Sequence, residues 1–126
     1  MSLSVVNDSL SVSDVNSFLI SSVVNLDRID PVNKTTSFTV DNQSDVYIVA
    51  GATANVTVTL PVASSNIGRV LHFKNQSSYT LVSAISDVCP RNSLTPGTAI
   101  LAATNGHSAT LVSNGVNWFM IKHSNF

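Results

Sequence analysis

The stretch TLVSNGVNWFMI, residues 110–121, carries the strongest fold signal in this sequence. Its central pair Asn114-Gly115 favours a two-residue type I′ turn, because both positions of that turn require positive φ angles that Asn and Gly tolerate. The turn predicts that Ser113 pairs with Val116 and that the flanking residues form two antiparallel strands. A β-hairpin near the end of this sequence is therefore the starting point for its fold.

The two faces of the predicted hairpin differ in composition. One face is nearly all apolar, with Leu111 opposite Trp118 and Ala109 opposite Met120, so we expect Leu111, Trp118 and Met120 in the core. Burial is also the favoured role of Trp118, the single tryptophan, over that of an exposed ligand platform. The second face carries more apolar surface than a solvated face should. We therefore expect a subunit interface there, formed by Val112, Phe119 and Ile121.

The composition favours strands and turns over helices. The 126-residue chain is rich in Ser, Asn, Thr and Val, and only 10% of its residues are charged. β-Branched side chains lose rotamer freedom in a helix, and Ser and Asn compete for its backbone groups.

A formal net charge of -1 offers no basic face for nucleic acid. No apolar run approaches the ~20 residues of a membrane span, and we expect a soluble chain made in the cytoplasm.

Short apolar stretches separated by turn residues follow one another from Ser37 onward. Their spacing is typical of an all-β sandwich or barrel. We predict one antiparallel β-domain over residues 36–126, with strands in the stretches SFTV, VYIVA, ANVTVTL, RVLHFK, YTLVSA, AILAA, SATLVS and NWFMIK.

Residues 1–35 have a different pattern and are predicted to form an N-terminal arm. The motif SLSV occurs at Ser2 and again at Ser9, with apolar residues two apart, which indicates short extended rungs and not a coiled-coil seam. The following residues could form a helix or a strand, and Pro31 marks a hinge into the β-domain. We expect the arm to pack on a partner through Leu3, Val5, Leu10, Val12, Phe18, Leu19 and Ile20.

Candidate catalytic and metal-binding residues lack the context that such chemistry needs. No serine lies in a nucleophile elbow, and the three histidines do not follow metal-ligand spacing. Asp41 and Asp45 in DNQSD suit a turn better than a calcium loop, since the loop glycine and closing acidic residue are missing. Cys89 is the single cysteine, so no intrachain disulfide is possible. We expect a non-enzymatic protein without metal or cofactor.

Several motifs together resemble a small β-module of tailed-bacteriophage virion proteins, especially tail fibres and spikes. They are VTVTLP at 56–61, GRVLHFKN at 68–75 and SATLVSNGVNWFMI at 108–121, and the resemblance covers somewhat more than half of the chain. The repeated SLSV is similar to spacer segments of such fibres. A short chain with an arm and one β-domain also resembles capsid decoration, or cement, proteins, which are often trimers clamped by an N-terminal arm.

The resemblance implies a structural protein on the virion surface. Its partners would be copies of itself in a homotrimer, and capsid or tail subunits held by the arm. An alternative is a carbohydrate-binding tip module that recognises host-surface glycans through the polar loops NQSSY, near Tyr79, and TNGH, near His107. A hydrolase is a distant third hypothesis.

Overall fold

A computed structural model describes residues 31–124 and contains an all-β domain. Beside the strands, the described residues include one 3-10 turn at Ala63–Ser65 and no α-helix. Accordingly, no helix within 31–124 is long and apolar enough to cross a membrane. In chain order the strands are β1 (Val32–Lys34), β2 (Phe38–Thr39), β3 (Val46–Ala50), β4 (Val56–Thr59), β5 (Val70–Gln76), β6 (Leu81–Ser83), β7 (Val88–Cys89), β8 (Ala99–Leu101), β9 (His107–Ser113) and β10 (Trp118–Ser124).

The strands form two mixed sheets that pack as a sandwich. The six-stranded sheet has the order β1-β3-β5-β9-β10-β7, and the four-stranded sheet has the order β2-β4-β6-β8. The first eight strands alternate between the two sheets. The first three strands of each sheet therefore run in the same direction. β1, β3 and β5 are parallel in the six-stranded sheet, and β2, β4 and β6 are parallel in the four-stranded sheet.

The prediction of an all-β fold is confirmed, whereas the prediction of antiparallel pairing is wrong for most of the domain. Among the described residues five of the eight strand pairs are parallel. A turn signal reports that the chain reverses, but it does not report whether the next strand joins the same sheet. Here most turns carry the chain across to the opposite sheet, and the return crossing creates a parallel neighbour.

Each of the eight predicted stretches contains a strand, and two further strands were missed. β7 has only two residues, and β1 lies within the segment assigned to the arm. The six-stranded sheet therefore begins by Val32, ahead of the predicted boundary at residue 36. Residues 1–30 and the arm contacts predicted within them lie outside the described part of the chain.

The β9–β10 hairpin is present, but its predicted turn and register are wrong. Ser113 pairs with Trp118 and not with Val116, so four residues form the connection. The Asn114 side chain explains the longer turn, because its Oδ1 accepts hydrogen bonds from the backbone N–H groups of Val116 and Asn117, both at 3.0 Å. Over Leu111–Ser113 the register differs by two residues, which is one full pleat period, so these side chains and their partners keep their predicted faces. A β-bulge between Thr110 and Leu111 adds one residue to β10, so that Thr110 pairs with Lys122.

The core lies between the sheets and is built from alternate residues of the longer strands, whereas the short strands β7 and β8 each bury two consecutive residues. Tyr47, Phe73, Leu111 and Trp118 point inward from the six-stranded sheet and are each no more than 2% exposed. The four-stranded sheet contributes the buried side chains of Val56, Val58, Leu81, Ile100 and Leu101. A stack of aromatic rings extends the core toward the sheet edge, with centroids 5.1 Å apart for Phe38–Tyr47 and 5.8 Å for Tyr47–Phe73.

Candidate functional site

The outer face of the six-stranded sheet carries the main surface features of the domain. One row of neighbouring residues on this face is apolar and half-buried, and consists of Val70, Val112 and Phe119. The next row is mainly polar and consists of Val46, His72, Thr110 and Lys122. It lies two residues further along β5 and β9 and, because of a bulge, three residues further along β10. The face thus divides into an apolar end and a polar, basic middle.

A groove of about 730 Å³ lies where β10 meets the loop after β7, and polar residues of that loop line it beside apolar ones. We call it the apolar groove for three large apolar side chains that line it, Leu94, Phe119 and Ile121. Phe119 and Ile121 line it from the strand, and Leu94 lines it from the loop. Leu94 is 82% exposed and Ile121 is 59% exposed, which is unusual for large apolar side chains. Of the predicted interface residues, Phe119 and Ile121 therefore line this groove, while Val112 lies half-buried beside Phe119 on β9.

A second, basic pocket of about 330 Å³ lies in the middle of the same face. Its cationic side chains are Lys74 from β5 and Lys122 from β10, and its polar side chains include His72, Ser108 and Thr110. His72 Nδ1 lies 3.0 Å from Thr110 Oγ1, which holds the imidazole against the sheet. Lys74 and Lys122 have neither a hydrogen bond nor an ion pair within residues 31–124.

Nearby carboxylates do not neutralise these lysines. Asp45 precedes Val46 in the chain, but its carboxylate accepts a hydrogen bond from Arg69 Nε at 2.8 Å and forms the ion pair of the described domain. The Asp41 side chain accepts from the backbone N–H of Gln43, as expected for the turn that DNQSD predicts. This turn is therefore organised around an arginine.

Two histidines form a separate pair at the end of the β9–β10 hairpin opposite its turn. The rings of His107 and His123 meet edge-to-face with centroids 5.6 Å apart, and His107 Nδ1 is buried without a hydrogen-bond partner among the described residues. Burial lowers the pKa of His123, and the charges of His107 and Arg91 lower it further. The pair does not have a third metal ligand within 31–124, where no group of three or more His, Cys or acidic residues could hold a metal ion.

The two loops proposed for glycan binding are joined through one buried residue, Asn75, which uses both its side chain and its backbone carbonyl. Asn75 donates from Nδ2 to the carbonyl oxygens of Tyr79 at 2.7 Å and Ala102 at 2.9 Å, and its Oδ1 accepts from the backbone and hydroxyl of Ser77. The backbone carbonyl oxygen of Asn75 also accepts a hydrogen bond from the Gly106 N–H at 2.7 Å. Sequence reasoning did not single out Asn75, although an amide between apolar positions of a strand is the kind of residue that a buried network uses.

Trp118 does not serve as a ligand platform. Its side chain is fully buried, and its Nε1 donates to the carbonyl oxygen of Pro61 at 2.9 Å. Leu111 and Met120 are buried on the same face. Cys89 is likewise buried, with its thiol donating weakly to the carbonyl of Leu94 at 3.5 Å. These residues hold the hairpin on the domain.

Comparisons with known proteins provide no family assignment. No protein-family model matches this chain, and no curated protein is similar to it in sequence.

Proposed function

We propose that this protein is a non-enzymatic structural protein of a bacteriophage particle and that it works as a homotrimer. The phage assignment rests on the resemblance of residues 56–75 and 108–121 to a virion β-module. The capsid decoration and short fibre or spike hypotheses both require self-association and an anchoring arm. The observation that supports self-association is the apolar groove formed by Leu94, Phe119 and Ile121.

The groove suits a second copy of the same chain. A solvated apolar groove is unfavourable because burial of apolar surface stabilises by roughly 25 cal/mol per Å². Among the side chains that line this groove, Arg91 is the one with a formal charge, and the centres of interfaces are depleted of charge in the same way.

Light scattering on the purified full chain tests self-association. We expect a mass of three times the 13.3 kDa chain. The double variant Leu94→Asn/Ile121→Asn should shift the mass toward that of the single chain, because both side chains are exposed in one subunit and can be changed without disturbing its core. The matched control is Val62→Asn/Ile85→Asn, which removes two similarly exposed apolar side chains that do not line the groove.

A monomeric full chain would overturn the homotrimer, and equal masses for the two double variants would overturn the groove as its interface.

The arm proposal has its own test. Phe18→Ser/Leu19→Ser should prevent attachment to phage capsids or tails in a sedimentation assay while the chain keeps its β-sheet circular dichroism. Attachment of this variant at the level of the unchanged chain would contradict the arm proposal.

The alternative function is a carbohydrate-binding tip module. The observation that favours it is the meeting of the NQSSY and TNGH loops around Asn75. A glycan array would test it, and binding lost on Tyr79→Ala would support a site on these loops. An array without signal would count against the tip module.

A further inference from the structure

The basic pocket in the middle of the six-stranded sheet shares no lining residue with the apolar groove used for the proposed self-association. It is bounded by Lys74 and Lys122, and its nearest residue to the apolar groove is Lys122, which follows Ile121 on β10. Neither lysine side chain has a hydrogen bond or an ion pair with another of the residues 31–124.

Strand register brings the two lysines toward a shared position. Lys74 on β5 neighbours Ser108 on β9, and Lys122 on β10 neighbours Thr110 on β9. β9 lies between the two lysine strands, and their neighbours Ser108 and Thr110 are two residues apart on it. The lysine backbones therefore lie about 10 Å apart across the sheet and about 7 Å apart along it, since adjacent strands are separated by about 4.8 Å and a strand rises about 3.3 Å per residue. Flexible lysine side chains can span that gap from both sides, so one ligand lying over β9 can contact both ammonium groups.

The polar groups of the pocket identify the chemistry of this ligand. Two ammonium groups without an ion pair in the described domain favour a negative charge, and they donate hydrogen bonds without accepting any. The hydroxyls of Ser108 and Thr110 and the ring of His72 add groups that both donate and accept. Sugar hydroxyls also donate and accept, and a carboxylate or sulfate on the same ring would supply the charge.

The walls and size of the pocket argue for a charged sugar over a neutral one. Phe73 is the one Phe, Tyr or Trp among the lining residues, but its side chain is 1% exposed and faces the core. The small imidazole of His72 is thus the one exposed aromatic ring among the lining residues, and no Phe, Tyr or Trp face is available there for stacking on a neutral sugar ring. A volume of about 330 Å³ is at the lower end of the range for small-molecule pockets, which suits one or two sugar units.

A nucleic acid fits this surface less well. Binding of a phosphate backbone needs a continuous track of cations, since each neutralised phosphate contributes separately. The other cations of the described domain lie elsewhere: Lys34 is over the Phe38 ring, Arg69 is paired with Asp45, and Arg91 lines the apolar groove.

From these observations we propose that the pocket bounded by Lys74 and Lys122 binds an acidic saccharide, that is, a sugar carrying a carboxylate or a sulfate ester. The lysines hold the anionic group, and His72, Ser108 and Thr110 hold the ring hydroxyls. This inference does not depend on the homotrimer or on the phage assignment, and it places a ligand on the sheet face and not on the loops around Asn75.

Titration calorimetry on the full chain tests the proposal. The probes are N-acetylneuraminic acid and glucose 6-sulfate, with galactose as the neutral sugar and inorganic sulfate as the bare anion. We expect at least one acidic sugar to bind about tenfold more tightly than either galactose or sulfate, with affinity that falls as salt screens the lysines. Lys74→Gln and Lys122→Gln should each weaken that binding about tenfold, the order expected for one charge-assisted hydrogen bond.

The matched control is Lys34→Gln, which removes the same charge from the edge strand β1 and should bind like the unchanged chain. Circular dichroism and the light-scattering mass of each variant show whether fold and assembly are retained. Absence of binding by both acidic sugars, equal binding of galactose, sulfate binding as tight as that of the sugars, or equal loss in Lys34→Gln would each overturn the proposal. Because Lys74→Gln leaves Leu94 and Ile121 in place, failure here and failure of the homotrimer are distinguishable.

Discussion

Arg69 donates from Nε to the Asp45 carboxylate at 2.8 Å, and its side chain is only 7% exposed. The same guanidinium donates from Nη2 to the carbonyl oxygens of Asp41 at 2.6 Å and Ser44 at 3.1 Å. The Arg69 side chain, one residue before β5, therefore donates hydrogen bonds to two carbonyl oxygens and one carboxylate of the turn that leads into β3. This arrangement fixes two parallel neighbours that lie far apart in the sequence.

Replacing Arg69 should strongly destabilise the domain. Arg69→Met leaves the Asp45 carboxylate and the Asp41 carbonyl oxygen without the Arg69 donor, while Ser44 keeps its hydrogen bond from Tyr47, and removing one member of a largely buried pair costs about 3 kcal/mol. Urea denaturation followed by tryptophan fluorescence measures the change in the free energy of unfolding. Arg91→Met is the matched control, because Arg91 is exposed and its loss should change that free energy by less than about 0.5 kcal/mol. Equal stability of the two variants would contradict this role for Arg69.

Asn75 should be as important as Arg69, although it is uncharged. Asn75→Ala removes four hydrogen bonds around one buried amide and leaves the carbonyls of Tyr79 and Ala102 without that donor. Unsatisfied buried groups cost about 1–3 kcal/mol each, and partial access of water reduces the sum, so we expect a loss of about 3 kcal/mol. Thermal unfolding compares this variant with Asn92→Ala, whose side chain is exposed. A loss in the free energy of unfolding below about 1 kcal/mol would contradict this role of the Asn75 hydrogen bonds.

Gly115→Ala should destabilise the hairpin turn for two reasons. Gly115 has a φ of +95°, and an added Cβ would lie 3.0 Å from Ile67 Cγ1. Left-handed backbone costs an L-residue about 1–2 kcal/mol, and the crowding at Ile67 adds to this, so we expect a loss of about 2 kcal/mol in chemical denaturation. Gly97→Ala is the matched control, because it meets no atom within 4 Å of its Cβ. An unchanged free energy of unfolding in Gly115→Ala would mean that the turn accommodates the added Cβ without strain.

The stability of the domain should fall as the solution is acidified below about pH 6.5. Burial, together with the charges of His107 and Arg91, lowers the pKa of His123 in the folded chain below its ordinary value of 6.5. The unfolded chain then takes up a proton before the folded chain does, so acidification favours unfolding until the folded pKa is passed. Denaturation curves at stepped pH measure this slope.

His123→Gln should remove its part of that pH dependence, whereas His72→Gln, at an exposed position, is the control and should retain it. An unchanged slope in His123→Gln would contradict the assignment.

Asp87 contributes with the opposite sign in a more acidic window, because burial raises its pKa above 3.8 despite the hydrogen bond from Ser83. Its charge destabilises the fold as the pH rises through that raised pKa, so the two contributions can be separated by their sign.

Much of the strand content could be predicted because alternation of apolar and polar residues is a local property. VLHFKNQ in β5 alternates buried and exposed positions along most of its length, and the face assignments of β9 and β10 follow from the same period of two. The Asn114-Gly115 signal also marks the one place within 31–124 where consecutive strands are neighbours in the same sheet. Its turn geometry was mispredicted because the Asn114 side chain bonds to the backbone, a local alternative that Asn-Gly also permits.

The candidate site was only partly predictable. Phe119 and Ile121 were expected at an interface because they share one face of the hairpin, but their partner Leu94 lies in a loop after a strand too short to predict. The basic pocket had no sequence signal at all. Lys74 and Lys122 are 48 positions apart in the numbering, and the pairing of β5, β9 and β10 is what places them on one pocket.

Local chemistry in the sequence therefore decided that this chain forms strands, which side chains each strand buries, and where its hairpin turns. Those properties depend on the pleat, the φ preferences of Asn and Gly, and the apolar character of alternate residues. The tertiary structure decided which sheet each strand joins, the parallel order of β1, β3 and β5, and the meeting of Lys74 with Lys122. Such pairings depend on long-range packing of two faces against each other, and many strand orders satisfy the same local pattern equally well.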